Sequence, residues 1–179
     1  KFDNLGAHPI PVLKARVKDF DAVHSPHFSA YGSIPATLHY HAGVEATLFT
    51  NWLNDEQLAR MHETEVSAEN YHYVRIDGIT LDIAFGARLT SVYAYISSRG
   101  ALCHDGKPLG LAAVSTTGRA WPEISQNGVQ ALARDRLSPG TALEVFITEN
   151  VDKIETRRAR IKQLAQDALP FGYPATRIQ

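Results

Sequence analysis

The stretch VEATLFTNWLNDEQLARMHETEVSAE, residues 44–69, reads as a strand running straight into a helix. In Val44–Trp52, Val44, Ala46 and Leu48 alternate with Glu45, Thr47 and Phe49, which is the two-residue period of a strand with one face buried. The helix is predicted from Asn54 to Glu69. Asn54 is placed to cap it, Asp55 and Glu56 lie in the first turn, and Gln57 stands at the reciprocal capping position. At 100° per residue Leu58, Met61, His62 and Glu65 share one face, while Glu63 points away. A carboxylate that continues an apolar stripe is drawn out of water, and desolvation favours the neutral form of a carboxyl group. That is the setting a general acid–base residue needs near neutral pH, so Glu65 is the candidate catalytic residue and Glu63 an ordinary surface charge.

Upstream of this unit, residues 1–14 carry Gly6, Pro9 and Pro11 and read as a loop. Ala15–Ser25 intersperses Val17, Phe20 and Val23 with acidic residues and reads as a strand. Ser25–Gly32 is a polar turn, and Ile34–His39 is a short strand interrupted by Pro35. Downstream, Tyr71–Ile76 and Ile79–Ala84 flank Asp77-Gly78, a hairpin signal. Thr90–Ser97 is a further strand, with Val92, Ala94 and Ile96 opposite Tyr93 and Tyr95. A Gly- and Pro-rich connection over 99–124 leads to a helical part over 125–169. There a helix from Ser125 stops at Ser138-Pro139-Gly140, and Thr141 with Glu144 opens a second that reaches about Leu169. Strands, helix, strands, then helices is the order of an α+β domain rather than of alternating βαβ units.

Composition narrows the function classes. The 179 residues, 44% hydrophobic and 21% charged, suit one globular domain. A net charge of -1 gives no general attraction to nucleic acid or to a membrane surface. No apolar run approaches the roughly 18–20 residues of a membrane span. The single cysteine, Cys103, permits no internal disulfide and fits a reducing, cytoplasmic setting. His39-x-His41-x-x-x-Glu45 is similar to the first metal motif of cupins, and neutral imidazoles suit iron, nickel or zinc. Gly43 between His41 and Glu45 reads as a turn that splits the set, the glycine that motif requires further on is Trp52 here, and no later histidine matches its second half, so no metal is expected. Arg157, Arg158, Arg160 and Lys162 fall mostly on the solvated faces of a helix whose apolar stripe holds Ile154, Ile161 and Leu164. His24 and His27 read as loop residues.

Taken in order, Ala15 to about Ile96 resembles the γ-glutamylcyclotransferase family. ARVKDFDAVHS is similar to that family's second strand, SAYGSIPATL to the next, and VEATLFTNWL to the strand that leads into its central helix. LARMHETE falls on the family segment whose glutamate is the acid–base. The resemblance therefore gives Glu65 that role, Tyr71 or Tyr73 the tyrosine that follows it, and Tyr95 the tyrosine of the last strand. It implies a small mixed β-barrel or strongly curved sheet with helices outside. It also implies cofactor-independent acyl transfer on a small γ-glutamyl compound, releasing 5-oxoproline and an amine. The chain departs from the family pattern at His62, at Val66, and in its substrate loop, Y-G-S-N. Tyr31-Gly32-Ser33-Ile34 nearly spells that loop but stands too close to Glu65 and reads as a strand start. The first strand and the loop are expected before Lys1, with KFDNLG as the tail of the helix between; their true absence would leave a non-catalytic binding module.

Overall fold

A computed structural model describes residues 9–65, 70–83 and 86–178. The first long strands are β1 (Val12–His24) and β2 (Ala36–Asn51), followed by helix α1 (Asp55–Glu65). Two more long strands, β3 (Tyr71–Ile83) and β4 (Arg88–Ser97), complete the first part. The connection to the helices is pinned by short strands: β5 (Cys103–His104), β6 (Lys107–Pro108), β7 (Gly110–Leu111), β8 (Thr116–Thr117) and β9 (Glu123–Ile124). Helices α2 (Gln126–Leu137), α3 (Leu143–Asp152) and α4 (Ile154–Leu164) follow, then a 3₁₀ turn at Ala165–Asp167 and strand β10 (Thr176–Arg177). The architecture is α+β, as the order of elements predicts.

β1 is the axis of the main sheet. It pairs antiparallel with β2, β3 and β7, and the sheet runs β10-β3-β1-β2-β8 with β4 on β3. The expected barrel does not form among the described residues. Closure needs a continuous ladder between the outermost strands. Here the end of β4 meets the start of β2 through side chains instead: Ser97 N–H donates to Thr37 Oγ1 at 3.0 Å, and Ser25 Oγ donates to Ser97 Oγ at 2.8 Å.

Two positions read as turns are bulges inside long strands. The register between β1 and β2 shifts at Phe20, which pairs with both Tyr40 and Glu45. Asp19 adopts φ 64 there, and its Oδ1 accepts the N–H of Gly43, itself at φ 85, at 2.8 Å. Aspartate tolerates this left-handed region and glycine meets no steric penalty in it, so the extra residues fold out without ending the strand. Ile34–His39 and Val44–Trp52 are therefore parts of one strand, which starts after Pro35. Asp77-Gly78 likewise bends β3 instead of forming a hairpin, with Gly78 at φ 74. The β3–β4 register slips between Asp77 and Leu81, and the hairpin closes later, where Ile83 N–H donates to Ala87 O at 2.8 Å. The predicted strand end at Ala84 lies outside the described residues.

The core has two parts. Val17, Phe20, Val74, Ile76, Leu81 and Ile96 form one cluster on the sheet. Phe28, Leu102, Val129, Phe146, Ile161 and Leu164 join the helices to the connection. The predicted helix over 141–169 is two helices, broken at Lys153. Its N-cap is Ala142, which has no side-chain oxygen, so the Thr141–Glu144 capping box does not form. Ile154 is exposed rather than part of the apolar stripe. Arg160, expected in solvent, is buried. It donates to Glu149 Oε2 at 2.7 Å, to Asn150 Oδ1 at 3.0 Å and to Ser138 Oγ at 3.0 Å, and lies over the ring of Phe146 at 4.3 Å. One guanidinium thereby ties the end of α2 to α3 and α4.

The α1 capping box is present as read. Gln57 N–H donates to Asn54 Oδ1 at 2.8 Å, and Asn54 N–H donates to Gln57 Oε1 at 3.0 Å. Gln57 is the fully buried residue of the helix. Asn54→Ala is expected to lower stability by about 1 kcal/mol, read as a lower denaturant midpoint at unchanged slope. An unchanged midpoint contradicts the role given to the cap. The part of the predicted helix beyond Glu65 lies outside the described residues, as does most of the predicted N-terminal loop.

Candidate functional site

The pairing of β3 with β4 puts the tyrosines on one face. Tyr73 stands opposite Tyr95, Tyr71 opposite Ser97 and Arg75 opposite Tyr93, while Val74, Ile76 and Ile96 point into the core. Side chains two apart on a strand, and directly opposed residues on its antiparallel neighbour, share a face. Tyr71, Tyr73, Tyr93 and Tyr95 thus form an aromatic wall. Tyr73 stacks on Tyr93 at 5.4 Å between ring centroids and contacts Tyr95 at 5.1 Å.

Helix α1 covers this wall with the face that the 100° period picks out. Leu58, Met61, His62 and Glu65 are half-buried and Glu63 is exposed. The His62 ring lies edge-on to Tyr73 at 4.6 Å and to Tyr95 at 5.8 Å. Its Nδ1 is 2.9 Å from the Tyr95 hydroxyl. Burial, the neighbouring Tyr73 and the charge of Glu65 push the Tyr95 phenol up, so it keeps its proton.

Tyr71 donates its hydroxyl hydrogen to Ala36 O at 3.0 Å, and burial followed by the charge of Glu65 pushes it up to about 12. Glu65 therefore lies close enough to both phenols for its charge to oppose their ionisation. Burial also pushes Tyr73 up. Glu65 thus ends the helix that covers Tyr73 and Tyr95, and its charge is felt by Tyr71 and Tyr95. His62 joins them. Its signal was already in the sequence, because it sits three residues before Glu65 on the same helix face.

Tyr31-Gly32-Ser33-Ile34 is not part of this place. It forms a turn whose N–H groups are already used: Gly32 N–H donates to Ser29 O at 3.1 Å, and Tyr31 and Ser33 N–H both donate to Ser29 Oγ at 3.2 Å. The Gly32 carbonyl accepts from Gln130 Nε2 at 2.8 Å, and Gly32 sits beside Ile147 of α3. A loop with its donors spent in this way has none left to hold a substrate.

The cupin-like set does not assemble either. His39 and His41 share a face, with ring centroids 6.2 and 4.8 Å from that of Trp121. The bulge at 41–44 carries Glu45 back to the register of Lys18, where it faces Arg16 at 3.9 Å. Among the described residues no group of three His, Cys, Asp or Glu side chains is placed to hold a metal ion.

Two features escaped the sequence. His24, read as a loop residue, is buried at the end of β1, with ring nitrogens 3.4 Å from Ile34 O and 3.2 Å from Ile124 O. Asp21 is fully buried and receives a two-pronged pair from Arg119, Nε to Oδ2 at 2.7 Å and Nη2 to Oδ1 at 2.8 Å. Trp121 Nε1 and Thr116 Oγ1 complete its shell at 3.0 and 3.1 Å. All four of its partners' donors come from the connection at 116–121, so this carboxylate fastens that segment to β1.

Compared with known proteins, the chain matches no family model, no curated protein and no solved structure. Among the described residues no helix is long and apolar enough to cross a membrane.

Proposed function

We propose that the chain is a γ-glutamylcyclotransferase-like acyl-transfer protein with Glu65 as its acid–base residue. The observation that carries this reading is that the α1 face bearing His62 and Glu65 packs on the wall of Tyr73 and Tyr95, with His62 touching both rings. The α-amine of a γ-glutamyl compound attacks its own γ-carbonyl carbon. The new N–C bond closes 5-oxoproline as the old C–N bond breaks, and the amine departs. Nucleophile and electrophile are already tethered, so positioning supplies much of the acceleration and the scheme calls on no cofactor. Glu65 takes the proton released from the attacking nitrogen and returns it to the leaving nitrogen. Tyr71, Tyr73 and Tyr95 wall the site, and the Tyr73 phenol is a donor suited to a substrate carboxylate.

Incubating the protein with γ-glutamyl amino acids and γ-glutamyl amines, with mass spectrometry of the products, tests the reading. It predicts 5-oxoproline and free amine in equal amounts from at least one of them. Tight binding of such compounds without turnover leaves a non-catalytic module of the same fold.

A further inference from the structure

A cleft of about 1200 Å³ opens between the His27–Phe28 segment and α4, with Asn70 and Arg99 on its far side. Its lining carries the cations of Arg99, Arg157, Arg158 and Lys162 against the single carboxylate of Glu155. That carboxylate is committed to Arg158 at 2.7 Å. Arg99 and Arg157 are instead tied to neutral oxygens, Asn70 Oδ1 at 2.8 Å and Asn150 O at 3.1 Å, which fix their direction without cancelling their charge. Among the described residues no carboxylate pairs with Arg99, Arg157 or Lys162. His27 lines the same cleft; it is 9% exposed, and its Nδ1 has no hydrogen-bond partner among the described residues. Burial, then Arg99, then Arg157 bring this imidazole down to about 4, so near neutral pH it carries no charge of its own. Three cations that share one cleft, with its one carboxylate committed to a fourth, favour an anion there.

We infer that this cleft binds a small-molecule polyanion carrying two or three negative charges, of phosphate or polycarboxylate chemistry. One carboxylate would offset a single cation of the excess, whereas a pyrophosphate or tricarboxylate group matches it, and the planar forks of Arg99 and Arg157 suit either kind of oxygen cluster. The site does not depend on the acyl-transfer reading. No group of the aromatic wall lines it, so Glu65→Gln leaves its affinity unchanged.

The test is calorimetric titration of the whole protein with inorganic pyrophosphate, citrate and acetate at fixed ionic strength. Saturable one-to-one binding of pyrophosphate or citrate, at least tenfold tighter than acetate, is expected, and the tighter of the two identifies phosphate or carboxylate as the natural group. Arg99→Gln is expected to weaken binding roughly tenfold. Lys162→Gln, at an exposed position with no hydrogen bond or ion pair among the described residues, should weaken it about threefold. In proton NMR the His27 midpoint should rise from about 4 once pyrophosphate offsets the two guanidiniums. No saturable binding, equal binding of acetate, unchanged affinity in both variants, or a static His27 midpoint each overturns the inference.

Discussion

Glu65→Gln is expected to lower 5-oxoproline release by roughly 10²- to 10⁴-fold while leaving the melting temperature where it was. Glutamine keeps the shape and hydrogen-bonding reach of glutamate but neither takes nor returns a proton. Glu65 is half-buried at the end of α1, outside both core clusters, so its replacement leaves no cavity in the core. Removing the negative charge also relieves Tyr71 and Tyr95, whose phenols should then titrate at lower pH in ultraviolet difference spectra. Glu63, two residues earlier and exposed, is the internal control: Glu63→Gln should change neither rate nor phenol titration. Equal rates in the two variants would remove Glu65 from the chemistry.

Asp21→Ala is expected to cost about 3–5 kcal/mol, which is a fall in melting temperature of roughly 6–20 °C. The substitution strands the Arg119 guanidinium, whose side chain is only 7% exposed, and leaves the Trp121 N–H without its acceptor. Glu123, at 3.0 Å and largely exposed, is the remaining charged partner beside the neutral Thr116 hydroxyl at 2.7 Å, and compensates little. Arg119→Lys separates charge from geometry. It keeps the cation but cannot make the two-pronged contact, so a loss about half as large should follow. Thermal unfolding followed by circular dichroism reads both. A melting temperature within a degree of wild type in Asp21→Ala would mean that the connection over 99–124 is held by something else.

What could be read from the chain was what short-range physics decides. The α1 cap is legible because its donors and acceptors lie three residues apart, and the helix face because its period is local. The alternation in β2 and β4 holds for the same reason: Val44 and Ala46 are buried beside Glu45 and Thr47, and Ile96 beside Tyr95. The strand period puts Tyr73 and Tyr95 on one face, and the helix period gives the α1 face whose His62 meets them.

Misreadings arose where one local signal serves two geometries. Gly43 and Gly78 were read as turns because both need positive φ, but a bulge needs it as much as a turn does, and only the pairing of whole strands decides between them. Thr141 with Glu144 spells a capping box, yet the helix starts one residue later than that box requires. The Asp21–Arg119 pair spans 98 positions and the Arg99–Arg157 convergence 58, distances over which spacing carries no information. The barrel was implied by the family resemblance, whereas closure depends on the last ladder, which side-chain bonds at Ser25, Thr37 and Ser97 replace.

The most direct test of the acyl-transfer account is to run the wild-type reaction on γ-glutamyl substrates in ¹⁸O-labelled water. Cyclisation keeps the γ-carbonyl oxygen and admits none from solvent, so the account predicts unlabelled 5-oxoproline with one equivalent of free amine. Glutamate carrying ¹⁸O in its γ-carboxylate, or no product from any γ-glutamyl compound, would contradict it.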